Sequence, residues 1–175
     1  MSHVLDVVAE GCRRQILESG HVVVARGDDA AQMLCQKAGL TAVLNDAPDF
    51  GLSHSLRLGL EAIEHRAPEE RGAALVFLGD QPLVRLGVVE AVIAAYRSSG
   101  AALVRPRYQT NPNVPGHPVL LDRSAWHLAR DLEGDRGLAG LIRATSLESI
   151  TVDVAGDNPD VDTRADLLAL QKASQ

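Results

Sequence analysis

The sequence predicts a layered α/β domain with a mainly parallel sheet, and three observations carry that prediction. Short apolar runs and amphipathic segments alternate from end to end of the 175 residues. Several runs, among them Val22-Val23-Val24 and Ala73-Ala74-Leu75-Val76-Phe77-Leu78, are continuous, as strands buried on both faces of a parallel sheet are. The runs close on turn residues, most sharply at Gly79-Asp80-Gln81-Pro82. Asp80 then stands just past a strand's carboxyl end, where open α/β sheets hold their ligands.

Val4, Leu5, Val8, Cys12 and Ile16 recur at helical spacing, which predicts a helix over residues 3–18 ending near Gly20. His21 to Ala25 is a β-branched run and reads as a strand. A short helix from Asp29 to Lys37 follows, stopped by Gly39, and Thr41 to Leu44 is the next strand. Asn45 to Gly51 is turn chemistry throughout. Ser53 is placed as the N-cap of a helix whose inner face carries Leu56, Leu60 and Ile63. Beyond Pro82, Val88 to Tyr96 predicts a helix ended by Ser98-Ser99-Gly100. Ala101 to Val104 reads as a strand and Arg105 to Pro118 as irregular, with Val119 to Leu121 no more than a strand end. Trp126 to Leu132 and Leu138 to Ala144 read as helices, and Ile150 to Val154 alternates like a strand with one wet face. Thr163 and Asp166 form a capping box before a terminal helix. Nothing marks a linker or a repeat, so residues 1–175 are expected to form one domain.

Composition narrows the function. A formal charge of −6 argues against broad nucleic-acid binding, which needs a basic face. No run approaches the ~20 apolar residues of a membrane span, and Met1 to Asp6 lacks the form of a signal peptide. Two cysteines make no disulfide framework, which fits the cytoplasm. No G-x-x-x-x-G-K-[ST], G-x-G-x-x-G or G-x-S-x-G motif is present, so covalent hydrolysis and dinucleotide redox chemistry lack support.

Asp80 suits either a Mg²⁺ ligand, since that ion binds through one or two carboxylates, or a turn and capping residue. Asp157, Asp160 and Asp162 form a second acidic group. Asp162 reaches the same ion if its strand lies beside that of Asp80; otherwise the group is a solvated loop capped by Thr163. Pro115-Gly116-His117-Pro118 is a tight turn with one imidazole, either a substrate contact or an ordinary entry to the next strand. Gly51-Leu52-Ser53-His54-Ser55 opens a helix, where backbone N–H groups and hydroxyls hold an anion or a base edge; capping explains Ser53 but not Ser55. Gly134-Asp135-Arg136-Gly137 places Arg136 before a helix, for a phosphate or for a surface ion pair.

Leu78 to Pro82, Pro115 to Pro118, Gly134 to Gly137 and Asp160 to Asp166, in that order, resemble the molybdenum cofactor cytidylyltransferases and their MobA-like relatives. Asn45 and the Gly51 to Ser55 turn fit the same pattern. The resemblance implies a three-layer, Rossmann-like nucleotidyltransferase fold that moves a nucleotide, CMP first, from an NTP to a phosphorylated small-molecule acceptor such as molybdopterin, releasing pyrophosphate. It implies Mg²⁺ or Mn²⁺ on Asp80 and Asp162, and a nucleotide side of Asn45, Gly51, Ser53, Ser55 and Gly79. It sets the acceptor against Pro115, Gly116, His117, Pro118, Asp135 and Arg136. Members of the family begin with a strand and a glycine-rich loop ending at a Lys, which cradles the triphosphate, and this sequence is expected to start after them. Val8 to Arg14 imitates that loop but lies in a helical pattern. The expectation is a sheet lacking a central strand, repaired by a strand from a second copy. The alternative function is a catalytically inactive relative that serves as a binding or assembly module.

Overall fold

The structure, a computed structural model, describes residues 1–66, 72–114, 116–136, 138 and 147–173. Helix α1 (Ser2–Arg13) buries Val4, Leu5, Val8 and Ala9 along one stripe. It stops well short of residue 18. The backbone at Gln15 enters the left-handed region at φ 58°, and the N–H groups of Ile16 and Leu17 turn back to the Gly11 carbonyl at 2.9 and 3.1 Å. Strand β1 (His21–Ala25), helix α2 (Asp29–Ala38) and strand β2 (Thr41–Asn45) follow. Helix α2 is capped by Asp28, whose Oδ1 accepts from the Ala31 N–H at 2.9 Å, and is stopped by Gly39 at φ 72°. Strands β1 and β2 pair in parallel over five residues as one two-stranded sheet.

A 3₁₀ turn (Pro48–Phe50) leads to helix α3 (Leu52–Arg66). The second sheet has the order β3-β5-β4-β6, from β3 (Ala73–Val76), β4 (Leu103–Tyr108), β5 (Val119–Asp122) and β6 (Ser149–Val154). Helix α4 (Leu86–Ser99) connects β3 to β4 and ends on Gly100 at φ 67°. Strand β6 runs parallel to β4 over six residues, whereas β5 is antiparallel to β3 over four and to β4 over two. Parallel pairing therefore predominates, as expected.

Three strands differ from expectation. The strand before Asp80 ends at Val76 and its partner is antiparallel, so only Ala74 of its four residues is fully buried. The stretch expected to be irregular from Arg105 remains strand through Tyr108, because the β6 backbone registers along its whole length. The short Val119–Asp122 segment is an internal strand with a partner on each side, and its first three residues are buried. Residues Arg123–Asp131 form a 3₁₀ helix in place of the α-helix expected at Trp126, with Trp126 Nε1 donating to the Leu121 carbonyl at 3.0 Å. The helix expected over 138–144 lies outside the described residues beyond Leu138. The terminal helix α5 (Arg164–Ala173) begins on the expected capping box, with Thr163 N–H and Oγ1 donating to Asp166 Oδ2 at 2.8 and 2.7 Å.

Leu60 of α3, with Leu56 and Ile63, packs on Ala74, Leu103, Val119 and Leu121 of the four-stranded sheet. The same helix meets β1, where a Cβ on Gly59 would lie 3.4 Å from Val23. Phe77, just past β3, packs into the β1 cluster of Leu5, Val24 and Cys35. Two sheets thus share one covering helix, and each ends in an open edge beneath it, β1 in one and β3 in the other. Among the described residues no strand lies between them, and no helix is long and apolar enough to cross a membrane.

Candidate functional site

Asp80 lies exposed in the turn after β3, and Asp162 lies exposed in the loop between β6 and α5. Their strands are not neighbours, since β5 and β4 stand between them. What brings the two turns together is the loop after β6, which doubles back so that the Val161 N–H donates to the Asp80 carbonyl at 2.8 Å. The loop is tied down along its length. Arg85 donates to the Ala155 carbonyl at 2.7 Å, Thr110 to the Gly156 carbonyl at 3.1 Å, and the Leu83 N–H to Asn158 Oδ1 at 3.0 Å.

The loop's other carboxylates are already engaged. Asp157 Oδ1 accepts from the Asn158 N–H at 2.9 Å, and Asp160 Oδ1 accepts from Gln81 Nε2 at 2.8 Å. Among the described residues, the side chains of Asp80 and Asp162 accept no hydrogen bond and join no ion pair. Two unengaged, water-facing carboxylates one backbone hydrogen bond apart are a donor set that suits a hard divalent cation whose remaining ligands are phosphate and water oxygens. No group of three or more His, Cys, Asp or Glu side chains able to hold a metal forms among the described residues.

On the other side of the β3 end, Asn45 at the end of β2 is buried, its Nδ2 donating to Ser55 Oγ at 3.1 Å and its Oδ1 accepting from the Ala47 N–H at 2.9 Å. Ser53 is not the N-cap of α3, because the helix starts a residue earlier at Leu52 and the Ser53 side chain points into protein. Its hydroxyl is fully buried and has no hydrogen-bond partner among the described residues. Gly51 is irreplaceable on steric grounds. It sits at φ 81° and ψ −172°, and a Cβ there would meet Asp135 Oδ1 and the Gly134 carbonyl carbon, each at 2.6 Å. Gly51 and Asp135, expected on opposite substrate sides, therefore touch. Gly79 is exposed beside Met1.

At the Gly116 turn, the Tyr108 hydroxyl donates to the His117 carbonyl at 2.8 Å, and a Cβ on Gly116 would meet Tyr108 Cε2 at 2.8 Å. Pro118 is fully buried and follows a cis peptide bond. Pro115 and the side chain of Arg136 lie outside the described residues.

Burial pushes the His117 imidazole down to about 4, reinforced by the Arg105 guanidinium and opposed by Asp160. The ring is neutral at pH 7. A histidine whose folded pKa lies below its unfolded value near 6.5 leaves stability intact above 6.5, and the loss accumulates as pH falls toward 4. The expected loss is on the order of 2–3 kcal/mol over that window. Urea melts of wild type and His117→Gln at pH 7 and pH 4.5 check this. The wild type should lose more stability than the variant, and parallel losses would contradict it.

Sequence reasoning passed over Gln81, Asn158 and Arg85, which hold the two acidic turns together. The only local signals were Gln81 and Asn158 standing immediately before prolines, and neither reveals a partner more than 70 residues away.

Two exposed carboxylates, on turns joined by the Val161 N–H to Asp80 carbonyl bond, thus stand beside an α/β sheet. The chain belongs to the MobA-like NTP transferase domain family, whose match covers residues 2–150. Its fold is the Rossmann-like one of the nucleotidyltransferases. It is similar to the Rv0371c homologue of Mycobacterium sp. strain JC1, with 28% identity and a TM-score of 0.78 over 97% of this chain and 81% of that one. Rv0371c of Mycobacterium tuberculosis H37Rv, solved in complex with manganese, shares 23% identity at a TM-score of 0.76, over 97% and 86%. Molybdopterin-guanine dinucleotide biosynthesis protein A of Archaeoglobus fulgidus shares 14% identity and a TM-score of 0.63, over 97% and 85%. No curated protein matches the chain.

Proposed function

We propose that residues 1–175 act as one nucleotidyltransferase domain that transfers CMP from CTP to a phosphorylated acceptor of the molybdopterin type. The observation that carries this reading is the junction of the Asp80 and Asp162 turns, with both carboxylates unengaged. A divalent cation, Mg²⁺ or Mn²⁺, would be held by these two residues and would neutralise charge on the triphosphate; the manganese in Rv0371c supports the choice of ion. The chain's own residues align the reactants. An acceptor phosphate oxygen forms the new bond to the α-phosphorus as the bond to pyrophosphate breaks, so no protein nucleophile is needed. Gly79 and Ser55 serve the nucleotide directly, while buried Asn45 and Ser53 and the packed Gly51 hold the turn that carries Ser55. Pro115 to Pro118 with Asp135 and Arg136 serve the acceptor, and a neutral His117 presents a neutral ring there.

Binding of CTP and GTP by calorimetry, with and without Mg²⁺, tests the reading. CTP is expected to bind in a metal-dependent way, and Asp80→Ala to weaken it at least tenfold. Failure to bind either nucleotide, or an Asp80→Ala chain that binds like wild type, overturns it.

The open edges of β1 and β3 favour a second reading, an inactive relative used as a binding module. In either case we assign the cover of those edges to a strand from a second copy, and a strictly monomeric, well-folded chain in sedimentation would contradict that assignment.

A further inference from the structure

Gln81 and Asn158 are two of the four buried polar side chains among the described residues, and they bond to each other across the junction of the acidic turns. Asn158 Nδ2 donates to Gln81 Oε1 at 3.3 Å, and Gln81 Nε2 donates to Asp160 Oδ1 at 2.8 Å. Asn158 Oδ1 accepts from the Leu83 N–H at 3.0 Å, and its Nδ2 also faces the His117 carbonyl at 3.5 Å. Buried amides are costly unless bonded, so a chain of them fixes geometry rather than adding bulk stability. Its two ends fall next to Asp80 and two residues before Asp162. It also occupies Asp160, so that Asp162 is the carboxylate left unengaged on that loop.

We propose that Gln81 and Asn158 are positioning residues: the Asn158–Gln81–Asp160 chain sets the separation of the Asp80 and Asp162 carboxylates and hence the pair's affinity for a divalent cation. The inference rests on the cation reading of that pair given above. A small hard cation demands near-ideal ligand placement, and a slip of about 1 Å between two turns is enough to lose it. An amide serves the chain because it donates and accepts at once. Glutamate at position 81 cannot donate and sets two carboxylates against each other. Converting Asp160 to Asn at the same time restores a donor, reverses the direction of that one bond, and leaves the net charge as in wild type.

The test titrates Mn²⁺ in the presence of CTP into wild type, Gln81→Glu, Asp160→Asn and the double variant, with a thermal melt of each. Gln81→Glu is expected to weaken Mn²⁺ binding about tenfold despite its added negative charge, and to lower the melting temperature because a buried carboxylate then faces Asp160, with the double variant restoring both. The double variant should return to within about threefold of wild type. Unchanged or tighter binding by Gln81→Glu, or a double variant no better than Gln81→Glu, overturns the proposal. If wild type binds no Mn²⁺ with CTP, the cation reading fails first. Amide exchange over residues 157–163 then judges the chain alone: exchange must be slow in wild type and the double variant and fast in Gln81→Glu, and equal exchange in all three overturns it.

Discussion

Asp162→Asn is expected to lower the rate of nucleotidyl transfer about 10²- to 10³-fold while leaving the melting temperature unchanged. The size follows from removing one preorganised electrostatic contact to a transferring phosphoryl group. The unchanged melt follows from the structure, where the Asp162 side chain is exposed and accepts nothing from the described residues. Asp160→Asn, two residues earlier, should be nearly neutral by comparison, because an amide oxygen still accepts from Gln81. Single-turnover release of pyrophosphate from CTP measures both. Equal losses at positions 160 and 162 would mean that the loop matters as a shape rather than through Asp162.

Leu121→Ala carries the second large effect, on stability. Leu121 is fully buried on the internal strand β5, between Ala74 of β3 and Leu103 of β4, and packs with Leu60 of α3 and Trp126. Truncating such a leucine costs about 3–5 kcal/mol. Domains of this size have about 5–15 kcal/mol in total. The strand also leads directly from the His117–Pro118 turn, so the loss should extend to that turn. Urea denaturation at pH 7 checks it, and a cost below about 1 kcal/mol would show that β5 is not the core strand described above.

The features legible in the sequence were those that are local. Gly39 and Gly100 end their helices where the residue type says they should, and Thr163 with Asp166 closes a capping box within four residues. The alternation of Ser149–Val154 survives as one wet face. What stayed hidden depends on partners distant in sequence. The run before Asp80 looks like a parallel strand by composition, but its neighbour β5 comes from more than 40 residues later and runs the other way. Arg105–Tyr108 contains Pro106 and charged residues and reads as loop, yet β6 supplies a strand for it to register against. Ser53 reads as a cap by type, and one residue's shift in the helix start buries it instead.

The same distinction holds at the candidate site. Asp80 and Asp162 stand out by residue type and motif order. The contact that joins them, from the Val161 N–H to the Asp80 carbonyl, bridges strands that are not adjacent and so escapes any rule about strand neighbours.

The most direct measurement is the stoichiometry of Mn²⁺ bound in the presence of CTP, read by electron paramagnetic resonance for wild type, Asp80→Asn and Asp162→Asn. One tightly bound Mn²⁺ per chain in wild type, lost in both variants alike, is the predicted result. Two independent sites, or tight binding that survives in either variant, would contradict a single cation shared between the two turns.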